Sequence, residues 1–180
     1  MVAYGIAAYT IRARARRERP PTVAETGGLA RTSPYFIWVP YAVIALRPGP
    51  EIDVPGALRW AGLALIVAGV LFMIWSAATL GRHFDVEIQV HGAHEVVRRG
   101  PYAVVRHPIY TGMAVHFLGA CLATGNLVLL AGTLLVSFPA LYQRATAEER
   151  LLRDRLGDAY ERYVREVPML VPLGRRTRAS

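Results

Sequence analysis

Residues 100–112 read Gly-Pro-Tyr-Ala-Val-Val-Arg-His-Pro-Ile-Tyr-Thr-Gly, and the rest of the chain is arranged around them. The stretch leaves a polar loop and runs directly into a long apolar segment. Its two prolines remove backbone donors and restrict the residues before them, while its two glycines permit turns that other residues resist. Tyr102, Arg106, His107 and Tyr110 therefore collect at the edge of an apolar run. Two readings fit that placement. Arg and Tyr gather at the headgroup depth of a bilayer for purely physical reasons. The same groups also supply rings, an imidazole and exposed backbone to a polar binding site.

Working outward, residues 109–142 are too long for one membrane crossing and are broken at Gly125-Asn126. They read as a hairpin of two helices, 109–124 and 127–142, with Pro139 kinking the second. The second helix continues as a charged segment to Leu156, where Gly157 suits a C-terminal cap. Ala57 to Leu80 is the clearest transmembrane helix, with Arg59 and Trp60 near one end and a long uncharged core. Pro34 to Leu46 is a shorter apolar segment that residues 30–47 extend to a tilted crossing. Met1 to Ile11 is apolar but too short to cross as a helix. The Arg-rich run after it is in the wrong order for a signal peptide.

These segments predict an all-α, polytopic membrane helix bundle of four spans, or five if the N-terminus inserts. The chain reads as a single domain, 1–180. It comprises a basic segment (1–33), two spans (34–80), a polar loop (81–108), the hairpin (109–142) and a charged C-terminal helical part (143–180).

Composition agrees. Of the 180 residues 53% are hydrophobic, yet the formal charge is +8 and every one of the 21 basic residues is Arg. A soluble nucleic-acid binder would not need such apolar segments, so no nucleic-acid partner is expected and the positive charge reads as basic flanks of spans. The absence of Lys points to coding bias in a GC-rich, bacterial source. Counting spans puts the N-terminal Arg cluster, the 81–108 loop and the C-terminal part on one face. By the positive-inside rule that face is cytoplasmic. Cys121 stands alone and reads as a small buried hydrophobe. His83, His91 and His94 share a loop without the spacing of a zinc motif, so no metal is expected. His116, polar in an apolar helix, is expected to face another helix or a cavity. Oligomeric state is not readable.

A second polar block follows the hairpin. Arg144 and Glu148 stand one helical turn apart and share a face. Glu149 and Arg153 have the better orientation for an i,i+4 ion pair and read as a surface pair. Gly-Pro-Tyr and Arg-His-Pro-Ile-Tyr-Thr-Gly resemble the cofactor-binding signature of the isoprenylcysteine carboxyl methyltransferase family of integral-membrane methyltransferases. Arg144-Ala-Thr-Ala-Glu148-Glu149, Leu156-Gly157-Asp-Ala-Tyr160-Glu-Arg-Tyr163 and Val167-Pro168 resemble its C-terminal signature.

The resemblance covers about residues 57–173. It implies S-adenosylmethionine as cofactor, at a site open to the cytoplasm, and a lipophilic or lipidated acceptor entering from the bilayer lipids. Carried over, it places Glu87, His94, Glu95, Val96, Val97, Tyr102, His107, Pro108, Ile109, Tyr110 and Glu148 against the cofactor. It places Arg144 at the acceptor. A carboxylate acceptor suits Arg144, because a guanidinium can hold it with two parallel hydrogen bonds, and no general base is then required. Phospholipid amine methyltransferases use a similar Arg-His-Pro site and are one alternative. Membrane sterol reductases, which bind a nicotinamide cofactor, are another.

Overall fold

The computed structural model describes residues 37–46, 49–81 and 96–172. These form α1 (Val39–Leu46), α2 (Gly56–Leu80), a 3₁₀ turn (Gly100–Ala103), α3 (Pro108–Thr124), α4 (Leu127–Gly132), a π-turn (Thr133–Ser137), α5 (Phe138–Leu156) and α6 (Asp158–Glu166). Among the described residues there is no strand, only an isolated bridge between Glu51 and Asn126. The all-α expectation holds. The basic N-terminal segment and half of the 81–108 loop lie outside the described residues.

Helices α2 and α3 form the spine of the fold, and their sequences explain how closely they approach. Gly62, Gly69 and Ser76 recur every seven residues on α2, as Gly112 and Gly119 do on α3, and all five are buried. A Cβ on Gly69 would stand 2.6 Å from the Gly112 carbonyl oxygen, and one on Gly119 would stand 2.7 Å from that of Gly62. The two backbones touch along this seam. Small residues allow such packing where lipid leaves no hydrophobic drive between helices.

The other flank of α2 is bare. Trp60, Val67, Leu71 and Trp75 are each more than half exposed. An apolar surface of that extent marks a contact with lipid or with another protein. Among the described residues two helices are long and apolar enough to cross a membrane: α2, and the 30-residue rod Leu127–Leu156 formed by α4, the π-turn and α5. At 17 residues α3 is about 25 Å long, shorter than a bilayer core of about 30 Å. Of the expected first span, α1 covers Val39–Leu46, while residues 30–36 and 47 lie outside the described residues. Four crossings are thus not all shown.

The hairpin turns where its sequence indicates. Gly125 caps α3 in the left-handed region at φ 68°, and the Asn126 side chain caps α4 by accepting from the Leu129 N–H at 2.9 Å. Pro139 cannot donate to the carbonyl one turn back, and the five residues before Phe138 widen into the π-turn. The irregularity expected at Pro139 thus falls in the preceding turn. Gly157, at φ 51°, ends α5 with its N–H on the Arg153 carbonyl.

Each end of the bundle is tied across chain-distant segments. At one end the Ile52 N–H bonds the Gly125 carbonyl (3.0 Å) and the Leu127 N–H bonds the Pro50 carbonyl (3.0 Å). At the other, Arg98 pairs with Glu166 (3.0 Å) and donates to the Ala159 carbonyl (3.0 Å). The end of the 81–108 loop and the C-terminal helices therefore share one end, as the Arg distribution implies.

Between the ends, Ile37, Phe117, Ala140 and Leu141 form a core against which Trp38, Tyr41, Tyr110 and Met113 pack. His116 is buried beside Trp38, Tyr41 and Phe117. Cys121 is half-buried, its Sγ 3.5 Å from the Thr133 hydroxyl.

Candidate functional site

Pro108 starts α3 at a position where its missing N–H costs nothing. That fixes His107 at the helix mouth and Tyr110 one turn later, their rings stacked at 5.6 Å and 12°. From the opposite side α5 presents Arg144 and Glu148. The Tyr110 hydroxyl joins them, accepting from Arg144 Nε at 3.0 Å and donating to Glu148 Oε2 at 3.0 Å. The expected shared face of Arg144 and Glu148 is realised through a tyrosine of another helix. Arg144 is buried, whereas about a third of the Glu148 side chain is exposed.

His107 sits between two carboxylates. Its Nδ1 is 3.7 Å from Glu148 Oε2 and its Nε2 is 3.3 Å from Glu149 Oε1. Burial opposes a charged ring here. The Glu149 hydrogen bond and the charges of Glu148 and Glu149 outweigh it, so His107 titrates above the ordinary histidine range.

Glu149 corrects the expectation of a surface pair. It is 5% exposed, and Arg106 holds its Oε1 with Nε at 2.7 Å and Nη2 at 2.6 Å. Arg153 does lie 3.4 Å from Oε2, as the spacing suggested, but it is the outer partner. Arg106 is likewise no interfacial anchor. Its Nη1 donates to the carbonyls of Val164 (3.1 Å) and Val167, and its own N–H to that of Pro168 (2.9 Å). His107 N–H bonds the Met169 carbonyl at 3.1 Å and the Thr111 hydroxyl bonds that of Leu170 at 2.7 Å. The segment after α6 is thus laced along residues 106–111.

The structure brings His107, Pro108, Tyr110, Arg144 and Glu148 together. Ile109 is half-buried beside them in sequence. Val96 packs instead on the Tyr160, Tyr163 and Val167 cluster, Val97 is half-buried, and the Tyr102 carbonyl accepts from the Tyr163 hydroxyl at 2.6 Å. Glu87, His94 and Glu95 lie outside the described residues. Among the described residues no cluster of His, Cys, Asp and Glu could hold a metal ion. Arg106 and Glu149 stand in the two quoted signatures but were assigned to neither cofactor nor acceptor; the structure places them against His107.

Residues 57–159 match the family model for phospholipid methyltransferases. A protein-S-isoprenylcysteine O-methyltransferase of Schizosaccharomyces pombe is 41% identical over 80 residues, 44% of this chain and 34% of that protein. A probable protein-S-isoprenylcysteine O-methyltransferase of Oryza sativa subsp. indica is 27% identical over 125 residues, 68% of this chain and 65% of that protein. Methanethiol S-methyltransferase 1 of Bradyrhizobium diazoefficiens is 42% identical over 72 residues, 39% of this chain and 24% of that protein. The chain spans between about a quarter and two thirds of the length of these relatives. With its family match covering more than half of the sequence, the chain belongs to the phospholipid methyltransferase family and resembles the isoprenylcysteine O-methyltransferases.

Proposed function

We propose that this protein is a multi-pass membrane methyltransferase that moves a methyl group from S-adenosylmethionine to a carboxylate on a lipophilic acceptor. The observation that carries this reading is the chain His107–Glu148–Tyr110–Arg144, set at the mouth of helices whose outer faces are bare and apolar. The donor set fits the cofactor. A partly exposed carboxylate, Glu148, suits a cationic amino-acid end, and the stacked His107 and Tyr110 rings supply apolar faces with polar edges. His107, Pro108, Ile109, Tyr110 and Glu148 would hold it, joined by Tyr102, Val96, Val97, Glu87, His94 and Glu95 as the family signature implies. When bound, S-adenosylmethionine supplies a methyl on a sulfonium, which leaves as a neutral thioether when an acceptor oxygen takes the methyl.

The chain's own part is orientation. Arg144 aims the acceptor carboxylate, and Tyr110 fixes Arg144 by accepting from its Nε. A carboxylate is already a nucleophile at neutral pH, so the site needs no base to remove a proton. The relatives from Schizosaccharomyces pombe and Oryza sativa are named for O-methylation of a protein S-isoprenylcysteine, a lipidated acceptor. The acceptor would enter sideways from the bilayer. The cofactor would enter from the cytoplasm, at the end of the bundle where Arg98 and the C-terminal helices meet, in a bacterial cytoplasmic membrane. Four crossings, or five with residues 1–11, complete this topology.

A second reading has support in the name of the matched family: a phospholipid amine as acceptor. Such an amine must lose a proton, and a fixed guanidinium beside it would disfavour its charged form. The test is calorimetric titration of the protein in detergent with S-adenosylhomocysteine and with NADPH, followed by methylation of a prenylcysteine-like lipid acid and of phosphatidylethanolamine. Binding of S-adenosylhomocysteine alone and methylation of the acid are expected. NADPH binding, or methylation of the amine alone, would overturn the reading.

A further inference from the structure

Glu149 stands beside the residues assigned to cofactor and acceptor without belonging to either set, yet it is the most heavily tethered carboxylate at the site. Arg106 grips one oxygen through two nitrogens, at 2.6 and 2.7 Å, and Arg153 lies 3.4 Å from the other. Arg106 is itself fixed by the carbonyls of Val164 and Val167, and its N–H is held by Pro168. Both partners of the Arg106–Glu149 pair are more than nine-tenths buried. Burying such a pair is costly, and replacing it with apolar residues is often neutral or stabilising. Stability alone is therefore a poor reason for it here.

What the pair does hold is one ring edge. The oxygen gripped by Arg106 is the one that faces His107 Nε2. With Nε2 directed at a fixed acceptor, the imidazole has one orientation, and Nδ1 is the edge turned toward Glu148. The 3.7 Å gap between Nδ1 and Glu148 Oε2 is too long for a direct hydrogen bond. Nδ1–H is thus presented at the site and not consumed by Glu149.

We propose that Glu149, locked by Arg106, is the positioning residue of the cofactor site: by taking Nε2–H it turns Nδ1–H of His107 toward Glu148 and the cofactor. This rests on reading His107 as a cofactor-contacting residue. The arrangement resembles the way outer carboxylates fix the tilt of functional imidazoles elsewhere. It also links the ring to the C-terminal segment, because the arginine that holds Glu149 is the one laced to residues 164–168. The groups that face His107 are Glu148 and Glu149 from α5, Tyr110 stacked from its own helix, and the Met169 carbonyl on its backbone N–H. Arg106 and Arg153 act on it through Glu149.

The experiment uses the full chain in detergent with ¹⁵N-labelled histidine, His107 being assigned by its loss in His107→Gln. In the wild type both ring nitrogens should carry protons at pH 7. Glu149→Gln keeps an acceptor of the same shape but removes the charge. It should lower the ring's titration midpoint by about one pH unit. The alkaline loss of S-adenosylhomocysteine affinity, followed by calorimetry, should move down with it. Glu161→Gln, which removes another carboxylate held by Arg153 at 2.9 Å, should move neither midpoint. A wild-type His107 that is neutral at pH 7 would overturn the proposal without any variant having to fold. So would an unchanged ring midpoint in Glu149→Gln, whatever happens to thermal stability. If the ring titrates as expected but S-adenosylhomocysteine does not bind, the cofactor reading fails and the positioning role stands.

Discussion

At the scale of single residues, the two neighbouring glutamates on α5 perform different tasks. Successive helix positions point about 100° apart, and here that rotation separates a partly exposed carboxylate from a buried one. Glu148→Ala should leave the fold intact and weaken S-adenosylhomocysteine binding by about one to two decades, the effect of losing a charged hydrogen bond of about 1.5–3 kcal/mol. Glu149→Ala strands the Arg106 guanidinium in a buried site. It should cost about 3–5 kcal/mol of stability, read as a large fall in Tm. Equal stability of the two variants would mean that the Arg106 pair is not the tether drawn here. Arg144→Lys keeps a charge but loses the planar fork. It should leave S-adenosylhomocysteine affinity within a few-fold while turnover drops by about tenfold or more; unaffected turnover would release Arg144 from the acceptor.

His107 gives the pH dependence its sign. Its ring titrates above the ordinary histidine range when folded, so between the two values the folded chain keeps a proton that the unfolded chain releases. The stabilisation is complete below pH of about 6.5 and fades as pH rises through the elevated value. Tm in detergent should therefore fall on the alkaline side in the wild type and depend less on pH in His107→Gln. Parallel profiles would contradict a ring held charged by two carboxylates.

At the scale of elements, the seam between α2 and α3 is the part least able to accept change. A Cβ on Gly69 would meet two backbone atoms of α3, at 2.6 and 2.8 Å, and neither can step aside as a side chain tip would. Overpacking of this kind costs about 1–3 kcal/mol or more. Gly56, at the start of the same helix, has nothing within 4 Å of its Cβ position. Gly69→Ala should lower Tm clearly and Gly56→Ala should not, and equal effects would show that the helices can slide apart. The π-turn before Pro139 belongs to the same scale. It lets one 30-residue rod carry both an apolar half and a polar half that reaches the site.

At the scale of the whole molecule, the two tied ends predict a topology. Asp53 lies at the end where residues 50–54 meet Gly125, and Arg98 and Asp154 lie toward the other. On a Cys121→Ala background, Arg98→Cys and Asp154→Cys should be labelled from the cytoplasmic side and Asp53→Cys from the opposite one. Labelling of positions 98 and 154 from different sides would sink the arrangement.

Much of this was legible in residue order, for a local reason. Helices, their caps and their breaks are decided within a turn or two of chain, so Gly125-Asn126, Gly157 and the apolar run 57–80 declared themselves. Motif spacing likewise placed Arg144 and Glu148 on one face. What residue order could not decide is what covers a face. Glu149 and Arg153 stand at ideal spacing for a surface pair, and the pair forms. Yet residues 164–169 and Arg106, some 15 and 43 positions away along the chain, enclose the glutamate. Burial is set by whatever packs from elsewhere, and a carboxylate reads the same in sequence on either side of that boundary. The tyrosine between Arg144 and Glu148, and the carboxylate that orients His107, exist only once α3, α5 and the C-terminal segment are brought together.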